Sequence, residues 1–232
     1  MTRTLFPSPA WPTVPVKGED AAYPVHRVFC VGRNYAAHAA EMGMEVDREA
    51  PFYFTKSALT ILPGGQTFPY PPGTENFHYE MELVVAIGSP AFRVSADAAM
   101  DHVYGYAAGF DMTRRDLQLA ARAKQRPWDL GKDVEGSAVI APITKAADFG
   151  AVGDQRISLT VDGEVRQDAR LSDLIWTVAE LVADLSKYYH LAPGDLIYTG
   201  TPAGVGAVGP GAVVRGEIDG LDPVELTVGQ PE

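Results

Sequence analysis

Apolar positions along the chain fall mostly into short β-branched runs bounded by glycine, proline or aspartate. Such runs read as buried strands, because they are too short for helices and rich in side chains that pack on a pleated surface. Residues 27–31, 51–56, 83–87, 103–110, 196–199, 213–218 and 223–228 have this form. Residues 157–161 and 164–167 flank Asp162-Gly163, the pair that a type I′ hairpin turn favours. Small residues within 103–110 predict close approach of another backbone. Helical periodicity is rarer. Apolar residues at 174, 175, 178, 181, 182, 185 and 189 follow Ser172 as a predicted N-cap. A second helix is predicted from Asn34 as N-cap through 35–42, closed by Gly43. A third runs from Thr113 to about Lys124, with Thr113 and Asp116 as a variant capping box. Residues 96–99 read as a short helical piece. Many short strands and about three helices predict an α+β, mostly β, single domain over residues 25–232. Residues 1–24, with Pro7, Pro9, Pro12, Pro15 and Pro24, predict an extended arm. Phe6 and Trp11 suit such an arm to packing on its own domain or on a second subunit.

Composition narrows the partners more than the fold. The chain has 232 residues, 46% hydrophobic, and a net charge of −11. With that charge and no basic stripe, nucleic acid is not an expected partner. No apolar run reaches transmembrane length, and residues 1–16 lack the apolar core of a signal peptide. The single cysteine, Cys30, lies inside a predicted strand and reads as a buried thiol, which fits a reducing compartment. A cytoplasmic location is the expectation.

Candidate chemistry starts at Glu80 and Glu82. Residues two apart on a strand face the same way, so both carboxylates project together from the start of a core strand. Burying two like charges is costly unless a cation lies between them, and hard oxygen ligands suit Mg2+, Mn2+ or Ca2+. Taken alone, the pair also fits an exposed acidic strand end. Asp111 lies where a strand turns into a helix; with Thr113 available as the cap, it is free to join a site. His38 and Glu41 are three apart and share a helix face, the spacing of a general base and its orienting carboxylate, or of a surface polar pair. Their short alanine-rich helix between glycines is a candidate lid. Arg115 and Gln118 share a face near the start of their helix. Lys56 ends a strand, as a solvated end or an anion contact, and Lys132 lies in a predicted loop. The glycine-rich stretch 200–206 is able to cradle an anion through backbone N–H groups but lacks the Lys-Ser/Thr of a nucleotide phosphate loop.

Six segments, in order, resemble the fumarylacetoacetate hydrolase family: GRNYAAH (32–38), NFHYEMELVVAIG (76–88), GYAAGFDMTRRDLQ (105–118), GK (131–132), VDGEVRQ (161–167) and LAPGDLIYTGTPAGVG (191–206). The resemblance implies a mixed β-roll, usually a homodimer. It implies Glu80, Glu82 and Asp111 as ligands of one Mg2+ or Mn2+ per chain. His38, Glu41 and Lys132 fall on the family's catalytic positions, and Lys56, Arg115, Gln118 and Thr201 on its substrate-contacting ones. The implied reaction is hydrolysis of a carbon–carbon bond in an acylpyruvate. The arm and the RRDLQ wording (114–118) are most similar to the branch that cleaves fumarylpyruvate or maleylpyruvate in gentisate breakdown. Two rivals stand beside this reading. One is an oxaloacetate decarboxylase, or a lyase or isomerase of related 2-oxo acids, on the same metal site. The other is a non-catalytic metal-binding protein, which would lack some of the catalytic groups found here.

Overall fold

Met81–Ile87 is buried at every residue and lies in the middle of an eight-stranded mixed sheet. The computed structural model describes residues 5–7, 10–41, 43 and 48–232. The sheet runs Phe52–Lys56, Arg27–Gly32, Asp195–Tyr198, Met81–Ile87, Val103–Asp111, Ala138–Ile140, Ile61–Pro63, with Thr144–Lys145 also paired to Val103–Asp111. A second, five-stranded sheet runs Glu164–Arg170, Arg156–Val161, Val213–Ile218, Val224–Gly229, Gln66–Pro69.

Alternation along the central strand explains the layers. Met81, Leu83, Val85 and Ile87 enter one core with Ile157, Leu159, Val214 and Leu226 of the five-stranded sheet. Val84 and Ala86 enter another on the opposite face, with Val28, Cys30, Ile140 and Tyr198. Val14, Val16 and Tyr23 of the proline-rich arm cover that second core, held partly by the two-residue strands Thr13–Val14 and Tyr23–Pro24. Leu5, Phe6 and Trp11 remain exposed, at 95%, 80% and 64%.

The predicted close approach occurs at Gly105, where a Cβ would lie 2.3 Å from the Thr144 carbonyl oxygen. The predicted hairpin forms, with Asp162 at φ 51° and Gly163 at φ 84°, the positive pair a type I′ turn needs. Six α-helical segments are present among the described residues. Three of them, Ala96–Ala99, Asp129–Lys132 and Ala146–Phe149, are single turns. The longer ones are the expected three: Ala36–Glu41, Arg115–Ala123 and Val178–Tyr188. Of the first, Met42 lies outside the described residues.

Gly43 closes the first helix as predicted, at φ 69°, but the predicted N-caps are wrong in each case, because tertiary partners claim the side chains. Buried Asn34 donates to the Trp176 and Thr199 carbonyls and accepts from Trp176 N–H, stitching two loops instead of capping its own helix. Thr113 lies in the short strand Thr113–Arg114 and donates to the Asp111 carbonyl at 3.0 Å. Thr177, not Ser172, caps the third helix, in a capping box with Glu180. No helix is long and apolar enough to cross a membrane among the described residues.

Candidate active site

Met81 pairs with Phe110, which sets Asp111 across from Glu80; Asp111 N–H donates to the Glu80 carbonyl at 2.9 Å. Glu82 follows on the Val84–Ala86 face, and Asp111 shares the face of Ala107. The three carboxylates are thus neighbours across two adjacent strands. Glu80 itself is not in the core strand. It occupies the junction between Phe77–Tyr79, which belongs to a separate three-stranded sheet, and Met81–Ile87. One ligand atom from each of Glu80, Glu82 and Asp111 lies within 4.8 Å of the others, and all three residues are buried.

Three cations answer the three acids. Lys132 Nζ lies 2.7 Å from Glu80 Oε2 and 2.7 Å from Asp111 Oδ2, and donates to Thr113 Oγ1 at 2.8 Å. Arg115 donates to Glu80 and to Gln118, and its Nε lies 3.4 Å from His78 Nδ1. His78 Nε2 donates to Asn76 Oδ1 at 2.8 Å, which leaves Nδ1 as the acceptor for Arg115. Burial, then the Arg115 charge, pushes the His78 imidazole down to about 4 and keeps it neutral. Lys56 is buried beneath the cluster. Its three donors go to the Met112 carbonyl, the Lys132 carbonyl and Ser137 Oγ. Its Nζ is 2.9 Å from Asp111 Oδ1 as a charge neighbour, but that oxygen has no hydrogen bond.

The acids are held differently. Burial drives Glu80 up, but the Lys132 and Arg115 charges outweigh it and hold its carboxyl below the usual range. Burial, then the Asp111 and Glu80 charges, pushes Glu82 well up; Gly200 N–H, at 2.7 Å from Oε2, offsets only part of this. For Lys132, burial pulls down and the Asp111 and Glu80 charges more than compensate, so its pKa is raised. An orphaned carboxylate oxygen on Asp111, facing an all-oxygen set of three buried acids, fits a hard divalent ion.

An open cleft leads to Glu80, Glu82 and Lys132. His38 and Thr201 line it, as do Arg115 and Gln118. His38 Nδ1 lies 3.2 Å from Glu41 Oε2, and Gly204 N–H donates to the Glu41 carboxylate at 3.2 Å. The glycine-rich stretch therefore does cradle anions, but they are the chain's own: Gly200 holds Glu82 and Gly204 holds Glu41. Thr201 Oγ1 accepts from Gln167 Nε2 at 2.8 Å. Lys56 does not line the cleft. Of the ten residues singled out from sequence, it alone is buried apart from the cleft lining, the acid cluster and the His38–Glu41 pair. Sequence reasoning passed over Thr113, Ser137, His78, Phe54, Trp128, Arg33 and Arg122. Only Arg122 carried a signal there, since it lies seven residues beyond Arg115 on the same helix face.

Fold and cleft are those of an enzyme that acts on a small molecule. The chain belongs to the fumarylacetoacetate hydrolase family: the model for the fumarylacetoacetate (FAA) hydrolase C-terminal region matches residues 27–229. It is 56% identical over 194 residues to a fumarylpyruvate hydrolase of Ralstonia sp, covering 82% of this chain and 100% of the relative. It is 40% identical to a mitochondrial oxaloacetate tautomerase of Arabidopsis thaliana, over 87% of this chain and 90% of that one. The crystal structure of fumarylpyruvate hydrolase from Pseudomonas aeruginosa in complex with Mn2+ and pyruvate superposes with a TM-score of 0.95 at 48% identity, over 98% of this chain and 100% of the other. The expected β-roll is thereby the observed fold.

Proton competition at Glu82 gives a first test of metal binding. An acid whose folded pKa is raised removes stability from the metal-free protein as pH climbs past its unfolded value of about 4.3. A divalent ion has to displace that proton. Mn2+ is therefore expected to bind more tightly as pH rises from about 4.3 towards neutrality, and to raise Tm by more at pH 7 than at pH 5. Calorimetry and melting curves at both pH values check this. A Tm gain independent of pH would argue against Glu82 as a ligand.

Proposed function

We propose that the chain hydrolyses an acylpyruvate, with fumarylpyruvate as substrate and fumarate and pyruvate as products. The observation that carries this reading is the pairing, in one cleft, of a metal-competent carboxylate cluster with a histidine oriented by a carboxylate. The likeness to the Ralstonia and Pseudomonas aeruginosa proteins supports the choice of substrate.

Glu80, Glu82 and Asp111 hold Mn2+ or Mg2+. When bound, that ion supplies Lewis acidity to the 2-oxo acid end of the substrate. His38 takes a proton from water at Nε2, because Nδ1 is engaged by Glu41. Glu41 fixes the tautomer and is itself fixed by Gly204. The water attacks the carbonyl of the acyl group. The carbon–carbon bond to the pyruvyl methylene breaks, its electron pair stays on that carbon as the enolate, and a proton then completes pyruvate. Lys132 contributes a fixed positive charge rather than a free donor, since its three N–H groups face Glu80, Asp111 and Thr113. Arg115, Gln118 and Thr201 contact substrate, whereas Lys56 acts as a buried counter-ion to Asp111.

A homodimer in the cytoplasm completes the reading. Exposed Leu5, Phe6 and Trp11 at the tip of the arm give a second subunit an apolar contact. In this reading residues 1–24 are the arm and 25–232 the catalytic domain, with Val14, Val16 and Tyr23 of the arm packed into the domain's second core.

Likeness to the Arabidopsis tautomerase favours one second reading, action on oxaloacetate. A single assay separates the two. Pyruvate release from fumarylpyruvate, acetylpyruvate and oxaloacetate, with keto–enol interconversion of oxaloacetate followed beside it, is measured with Mn2+, with Mg2+ and with EDTA. Metal-dependent cleavage of fumarylpyruvate, faster than turnover of oxaloacetate, is expected. Turnover of oxaloacetate alone would replace the first reading with the second.

A further inference from the structure

We infer that Arg122 is the anchor for the distal carboxylate of the acyl group, and so sets a preference for acylpyruvates that end in a second carboxylate. This rests on the acylpyruvate reading of the same cleft. Arg115, Gln118, Leu119 and Arg122 all line the cleft from one helix, Arg115–Ala123, at i, i+3, i+4 and i+7. That spacing lays them along a single face from the acid cluster to the mouth. Arg115 is committed at the deep end, to Glu80 and Gln118. Arg122 is half-buried, and its side chain makes no hydrogen bond or ion pair among the described residues. A guanidinium lining a cleft without a partner is a standing site for a carboxylate, which it binds through a planar fork.

The distances suit such a substrate. Seven residues of helix place Arg122 about 10 Å beyond Arg115 along the axis. Helical side chains lean towards the N-terminus, which brings the Arg122 head back over the cleft and shortens that span. The seven-carbon backbone of fumarylpyruvate reaches between the two ends, whereas acetylpyruvate, with a methyl group at its far end, stops short. Charge points the same way. The chain carries −11 overall, yet among the described residues the only acidic side chains lining the cleft are Glu80 and Glu82 at its base. At the mouth stands a second cation, Arg33, with its guanidinium 5.2 Å from the Phe52 ring centre and its backbone at φ 62°. Trp128 walls this end, its ring 5.0 Å from Phe52, and a low-dielectric wall strengthens a charge contact beside it.

Arg122→Gln keeps a good helix former at an accessible position, and a melting curve confirms its fold. The ratio of kcat/KM for fumarylpyruvate over acetylpyruvate is expected to fall about 10–100-fold, the loss of a charged hydrogen-bonded contact, mostly through KM for fumarylpyruvate. Arg122→Lys should recover part of it, with the charge restored but not the fork. Fumarate titrated calorimetrically into the protein saturated with Mn2+ and pyruvate reads the subsite without turnover. The unmodified protein should bind fumarate at least about 10-fold more tightly than Arg122→Gln. Equal fumarate affinity in the two proteins, or no measurable binding by the unmodified one, overturns the assignment. Failure of the unmodified protein to cleave either acylpyruvate would instead overturn the proposed reaction, and the fumarate titration would still decide the role of Arg122.

Discussion

Glu82→Gln is expected to abolish metal-dependent pyruvate release from every substrate while leaving a folded protein. The site holds three acids against Lys132, Arg115 and Lys56, all buried within a few ångströms of them. Glutamine has no proton to give up, as the Glu82 carboxyl has, so a dication meets three cations against two carboxylates, where loss of the Glu82 proton would have balanced them. Glutamine retains a carbonyl oxygen to accept the Gly200 N–H, which alanine would leave unmet. The metal-free variant should melt no lower than the unmodified protein, because the Glu82 carboxylate is penalised by burial and by Asp111 and Glu80. What it should lose is the Tm gain from Mn2+. Melting curves with and without the ion, beside the pyruvate assay, test both halves. A variant that kept its Mn2+-dependent Tm gain would show that Glu82 is not a ligand.

The acid cluster was legible in sequence because it depends on strand periodicity. Glu80 and Glu82 share a parity, and that parity survives even though the strand begins only at Met81. Asp111 was reached by a faulty route: Thr113 does not cap the following helix, and Asp111 enters the site through the pairing of Met81 with Phe110. Local rules failed wherever a side chain found a distant partner. Asn34 looked like a cap and instead binds residues 176 and 199. Lys56 does end the strand Phe52–Lys56, but of its two readings only the anion contact holds: it is buried under Asp111, more than fifty residues away in sequence. Capping and turn rules describe a segment in isolation, so they fail where tertiary hydrogen bonds are stronger claims on the same atoms. The same limit hid Thr113, Ser137 and His78, whose roles exist only through Lys132, Lys56 and Arg115.

His38→Ala is expected to lower acylpyruvate hydrolysis by about 10²–10⁴-fold, the usual worth of general base catalysis, with Mn2+ binding retained. His38 is not among the three clustered acids, so its loss leaves the metal ligands intact. Hydrolysis needs a deprotonated water, and decarboxylation of oxaloacetate does not. Any oxaloacetate turnover should therefore fall much less. Glu41→Gln should show the same asymmetry more weakly. The imidazole stays, but the charge behind it goes, and one amide oxygen now serves both His38 Nδ1 and Gly204 N–H, which the carboxylate serves with two. Lys132 is poorly placed to take over as base. Its ammonium is held by Asp111 and Glu80 against the pull of burial, and its three donors are committed. Pyruvate release from both substrates, in both variants, checks the pattern. Equal losses on the two substrates would make His38 a positioning residue for a step they share. Hydrolysis by His38→Ala at the unmodified rate would remove the pair from the chemistry and, with Lys132 already committed, would take the attacking-water step with it.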